Sequence, residues 1–168
     1  GTLDAAGREL PLFRLAKRAP SDDHLRFAVM SSSLGLENAL LRALLQDRAF
    51  LAAKGSSAWL TDFARLAGAN PNPTEAVSIL RLVLGEPQPS RRRAELLTAL
   101  GNGLSRRGQS VLGVLADRAT PAPIRAAADR VFRQAVSNVA QSSASTTERV
   151  SAAQLLGFAP TSVAVPAL

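Results

Sequence analysis

The sequence contains no cysteine and no tyrosine, and it has one histidine, one tryptophan and one methionine. Without cysteine there is no disulfide framework, no thiolate nucleophile, no cysteine-built zinc site and no covalent haem attachment. A single imidazole leaves little for a metal centre or a Ser–His–Asp set. Isoleucine and valine are scarce, 13 residues together, against 57 alanines and leucines in a chain of 168. That balance favours helix over sheet. No uncharged apolar run reaches the length of a membrane span. The most apolar stretch, Val77 to Leu84, is short and interrupted by Arg81.

What is present is a chain of ordinary globular composition, 46% hydrophobic and 20% charged, about one domain long. A chain of this length buries roughly 70% of its unfolded surface, so it holds together without staples. Basic residues outnumber acidic ones by 20 to 13, giving +7, and all but two of the basic residues are arginine. The positive charge is dispersed along the chain, whereas basic interfaces usually cluster. The chain starts at Gly1 and its only methionine is Met30. It therefore reads as one helical domain, residues 1–168, excised from a larger protein.

Apolar residues recur at helical spacing between proline and glycine breaks. Leu12, Phe13, Leu15 and Ala16 mark a first helix over 10–18, closed by Ala19-Pro20. Ser21 or Asp22 caps a second, with Leu25, Ala28, Val29 and Ser32 inward. Leu40, Leu41, Leu44 and Leu45 make a third. Residues 50–57 read as a connection, followed by a helix with Trp59, Leu60, Phe63 and Leu66 inward. Two proline turns, 69–73 and 86–89, flank a helix carrying Val77, Leu80 and Leu84. Ser90 caps a helix holding Leu96, Leu97, Leu100 and Leu104, and a short helix spans 109–116. After Thr120-Pro121 the stripe Ile124, Ala128, Val131, Phe132, Ala135 and Val139 is the clearest in the chain, and Asp129 lies four residues from Arg125 and from Arg133. Thr146 or Thr147 caps a helix with Val150, Ala153 and Leu156 inward, and 161–168 starts another. The fold class is all-α, with stacked antiparallel helix pairs.

A weak repeat bears on their arrangement. Arg93 to Gly101 and Arg149 to Gly157 both place a leucine seven and a glycine eight residues after the arginine, and Arg26 to Gly35 is similar. An arginine in the first turn, small residues mid-helix and a Leu-Gly end resemble the second helix of a HEAT-type repeat. The expectation is a HEAT-like α-solenoid, with an irregular helical bundle as the alternative.

Few residues carry chemistry. His24 follows Asp22-Asp23 at a helix start, where adjacent side chains diverge and cannot share one ion. The two aspartates complement the helix dipole. Gly101-Asn102-Gly103 lacks the phosphate-loop pattern and reads as a kink or a close helix approach. No catalytic, metal or cofactor-binding residue is assigned, and no cofactor is expected. The charge clusters are Arg91, Arg92, Arg93 and Arg106, Arg107, at the two ends of one helix. They are the candidate anion or partner surface, expected to be exposed. No aromatic residues are interleaved for base stacking, so nucleic acid or another polyanion is the alternative partner.

Three stretches carry a resemblance: 23–32 (DHLRFAVMSS), 40–51 (LLRALLQDRAFL) and 155–160 (LLGFAP). In this order they resemble the helical middle region of large planctomycete-type multidomain proteins, named membrane-bound dehydrogenases or haem-binding proteins. The likeness spans roughly residues 10–168. In that family a β-propeller precedes HEAT-like repeats and a cytochrome c domain follows them. The resemblance implies a non-catalytic scaffold or docking module inside an exported, periplasmic redox protein, with the neighbouring domains as partners. The family's haem-attachment residues have no counterpart here, because C-x-x-C-H needs cysteine.

Overall fold

The computed structural model describes residues 5–70, 73–85 and 90–164. The proline turns at 71–72 and 86–89, and the end of the last expected helix at 165–168, lie outside them. Among the described residues there are eleven helices and no strand. They are α1 (Ala5–Arg18), α2 (Asp23–Ser32), α3 (Glu37–Gln46), α4 (Arg48–Ala52), α5 (Ser56–Ala69) and α6 (Pro73–Gly85). They continue with α7 (Ser90–Ser105), α8 (Val111–Ala116), α9 (Ala122–Ala140), α10 (Thr146–Leu156) and α11 (Thr161–Ala164). None is long and apolar enough to cross a membrane.

The helices pair along the chain: α1 on α2, α3 on α5, α6 on α7, and α9 on α10. First members touch first members, α1 to α3, α3 to α6 and α6 to α9. Second members do the same, α5 to α7 and α7 to α10, and α2 reaches α5 through an Arg26–Asp62 ion pair at 3.1 Å. Within each row neighbours run parallel. Asn38 and Arg42 of α3 bond Glu75 and Ser78 of α6 in the same order. Ser57 of α5 meets Glu95 of α7 near their N-termini, and Gly68 meets Gly103 near their C-termini. On α10's side, Arg91 faces Glu148 and Gly101 lies against Phe158 just past the helix.

Hydrogen bonds between neighbouring helices of a row keep a near-constant separation. Asn38–Glu75, Arg42–Ser78, Ser57–Glu95 and Arg107–Asn70 span 37, 36, 38 and 37 residues. Each joins corresponding parts of two neighbouring helices. α8 and the loops beside it are an insertion that lengthens the last step.

The core follows the rows. Leu40, Leu41 and Leu44 of α3, Trp59, Leu60 and Phe63 of α5, and Leu96, Leu97 and Leu100 of α7 are buried. The Trp59 and Phe63 rings stack at 6.3 Å. α6 touches α3, α5, α7 and α9. Its Ala76, Val77, Ile79, Leu80, Leu82, Val83 and Leu84 are all buried. That explains why its stretch is the most apolar of the chain. The turn before α2 nests on the turn before α5: Trp59 Nε1 donates to the Pro20 carbonyl at 2.9 Å, and Ser21 Oγ to the Lys54 carbonyl at 2.7 Å.

Several sequence expectations are corrected. α1 begins at Ala5 and carries Pro11 inside, rather than starting at Leu10. Asp22 is the cap of α2, accepting from the Leu25 amide at 3.0 Å. Ala28 and Ser32 are exposed and only Val29 of that stripe is fully buried. Residues 48–52 form α4, capped by Asp47 through the Phe50 amide at 2.9 Å, where a plain connection was expected. In α10 the buried residues are Ala152, Leu155 and Leu156, while Val150 is 51% exposed. Its cap is Ser145, one residue before the expected threonines, in a reciprocal bond with Glu148. Asp129 makes no ion pair among the described residues; Arg125 instead donates to the Thr120 carbonyl at 2.5 Å.

Candidate partner surface

The two arginine clusters sit at opposite ends of α7, about 24 Å long for its 16 residues. They do not behave alike. Arg91 is exposed and its Nε donates to Glu95 Oε1, one turn on, at 2.9 Å. Arg92 and Arg93 are half-buried, so the expected exposure is reached at three of the five arginines. The reason is packing at the N-terminus of α7: Arg92 Nη2 donates to the Leu51 carbonyl of α4 at 3.3 Å, and Arg93 lines a groove. Arg106 and Arg107 are exposed. Arg107 Nη1 donates to the Asn70 carbonyl at the end of α5 at 2.5 Å, tying together the C-terminal ends of two parallel helices.

The groove beside Arg93 lies between α7, α9 and α10 and has a volume of about 560 Å³. α7 and α10 contribute their N-terminal turns and α9 its middle. Ala94, Val131, Ala135 and Ala152 give it an apolar lining. Arg91, Arg93 and Arg130 give it three guanidinium groups. Among the described residues Glu148 is the one carboxylate on its wall. The Ser145 hydroxyl and backbone amide both hydrogen-bond the Glu148 carboxylate, and they hold its pKa below the usual range. Sequence reading missed Arg130 because it follows Asp129 in the charged stretch of α9, with nothing to show that α7 packs beside it.

A smaller groove, about 270 Å³, continues along the second row over α5, α7 and α10. Asp62, Arg65, Glu95, Thr98, Asn102 and Gln154 line it, and Ser151 lines both grooves. Its charges are already matched, Arg65 to Asp62 and Glu95 to Arg91.

No chemistry collects elsewhere. His24 is exposed, and among the described residues no group of three His, Cys, Asp or Glu side chains comes together. Gly103 belongs to packing: a Cβ there would lie 2.1 Å from the Arg65 carbonyl oxygen. Phe27 is 57% exposed with the Arg26 guanidinium 5.2 Å from its ring centre. Comparison with protein-family models, with curated proteins and with solved structures finds no match to this chain.

Proposed function

We propose that this chain is a non-catalytic helical-repeat scaffold, HEAT-like in plan, that docks a partner on the row formed by α2, α5, α7 and α10. The observation that carries this reading is the parallel stacking of equivalent helices, which start 32 to 36 residues apart over the first three pairs. Stacked repeats of this kind present a long continuous face, the usual use of such folds. The spacing is near the roughly 34 residues of tetratricopeptide units and shorter than the roughly 40–47 of HEAT and armadillo units. The grooves found on the molecule fall on that row and beside it.

The resemblance noted in the sequence suggests the setting: a spacer within an exported redox protein, next to a propeller and a cytochrome c domain. We place polyanion binding second, because the arginines of the larger groove stand around an apolar lining of Ala94, Val131, Ala135 and Ala152 rather than along a continuous basic track, and Arg107 is bonded to the Asn70 carbonyl.

The reading is tested by determining the gene to both ends and titrating each flanking domain, made separately, into the isotope-labelled chain. Amide shifts confined to the exposed faces of α5, α7 and α10 and to the middle of α9 that lines the groove are expected. Shifts reaching α1, α3 and α6, or none, would contradict the docking role. Absence of a downstream C-x-x-C-H would contradict the redox setting alone.

A further inference from the structure

We propose that the groove between α7, α9 and α10 binds an extended acidic peptide segment, its carboxylates over Arg91 and Arg130 and a small apolar side chain on the floor beneath. This rests on the docking reading and adds the chemistry of the partner.

Three observations carry it. The first is charge: the Arg91 and Arg130 guanidinium groups stand on the wall, and the one carboxylate among the described lining residues, Glu148, is occupied by the Ser145 cap. Arg91 is 70% exposed at its side chain. Its bond to Glu95 is of the exposed i,i+4 kind, worth only a few tenths of a kcal/mol. It can therefore exchange Glu95 for an incoming carboxylate. Arginine forks suit that exchange, because they bond carboxylates in pairs.

The second is the floor. Val131, Ala135 and Ala152 are buried at 8%, 3% and 4% exposure, yet they line the groove. Short side chains there leave room for an apolar anchor, and a dry floor beneath a charged rim is the arrangement of productive interfaces.

The third is continuity. Ser151 lines both grooves, so the path runs on from the basic groove over α10, α7 and α5. Packed helices lie about 8–10 Å apart, so three of them span about 20 Å. An extended chain covers that in about six residues. In the second groove Arg65 is matched by Asp62 and Glu95, released from Arg91, faces the path, so the part of the peptide lying there should carry no carboxylate and offer hydroxyl donors. The partner has a direction: acidic with one apolar residue over α9 and α10, neutral and polar towards α5.

The test is fluorescence anisotropy with a fluorescein-labelled peptide, glutamates around one leucine in one half and serines in the other. A counterpart carries lysine for glutamate. The acidic probe should bind and the lysine counterpart should not. The double variant Arg91→Glu, Arg130→Glu should weaken the acidic probe by about ten-fold or more. Arg106→Glu with Arg118→Glu, an equal charge change at two exposed arginines that do not line the groove, should weaken it by less than about two-fold. Ser151→Trp blocks the groove without touching its charge and should also abolish binding. It decides the matter if the double variant folds poorly. Equal losses in the two charge variants would overturn the proposal in favour of diffuse attraction. Equally good binding of a single-stranded oligonucleotide would overturn it in favour of a polyanion site. Failure of the wild-type chain to prefer the acidic probe would overturn it outright. If flanking domains still shift the amides of α5, α7 and α10, the docking role stands without this groove chemistry.

Discussion

At the residue scale, two side chains show how local chemistry sets global behaviour. Asp47 caps α4 and pairs with Lys17 of α1. The hydrogen bond from Lys17, then that from the Phe50 amide, hold its pKa below the usual carboxylate value. A depressed folded-state pKa means that the stabilisation is present above the unfolded value, about 3.9. It is lost as pH falls through the lower folded value. Chemical denaturation followed from pH 7 to pH 2 should therefore show a fall in stability that starts near pH 4. In Asp47→Asn the neutral-pH stability should be lower and that part of the fall should be missing. Gly103 makes the other case. Its Cα faces α5 so closely that a Cβ would meet the Arg65 carbonyl and the Ala69 amide at 2.1 and 2.9 Å. Gly103→Ala should destabilise by about 1–3 kcal/mol or more, measured by urea unfolding. Gly85→Ala, with nothing within 4 Å of the new Cβ, should be neutral or stabilising.

At the element scale, most helices are legible from sequence, and the exceptions have physical reasons. Leu40, Leu41, Leu44 and Leu45 lie on one face at helical spacing, and all are buried. α4 escapes notice because its five residues are too few to show a period; only the Asp47 cap announces it. In α10, Val150, Ala153 and Leu156 repeat every three residues as plausibly as Ala152, Leu155 and Leu156 follow the i, i+3, i+4 pattern. Packing against α9 and α7 chooses the second set. The start of α10 is the place to measure an element's own contribution. Ser145 accepts from the Glu148 amide at 3.3 Å while Glu148 accepts from the Ser145 amide at 2.9 Å. Ser145→Ala should cost about 1 kcal/mol. In hydrogen exchange, faster exchange should be confined to the first turn of α10 if the cap acts locally.

At the scale of the whole molecule, composition and periodicity point to an all-α chain but not to the order of its helices in space. The Arg-to-Gly repeat marks α2, α7 and α10. All three fall in the second row. The same row also holds α5, which lacks that arginine, so residue identity marks the row incompletely. The 36–38 residue separation is written in contacts such as Arg42–Ser78 and Ser57–Glu95. No similarity between the residues at those positions betrays it. The groove is hidden for the same reason. Arg91 and Arg93 stand out in sequence, whereas Arg130 joins them only because α9 lies beneath the N-terminus of α7.

The parallel rows are the central claim, and the absence of cysteine makes them open to a clean test. A short bifunctional maleimide should join Asn38→Cys to Glu75→Cys, since both lie near the N-terminal ends of their helices and are bonded in the parallel α3–α6 contact. It should not join Asn38→Cys to Gly85→Cys, at the far end of α6, which an antiparallel packing would bring close. Mass spectrometry of the cross-linked monomer reads both yields directly. Efficient linkage of the first pair alone is the predicted result. Linkage of the second pair in preference to the first would mean that α3 and α6 do not run in parallel, and would contradict the account.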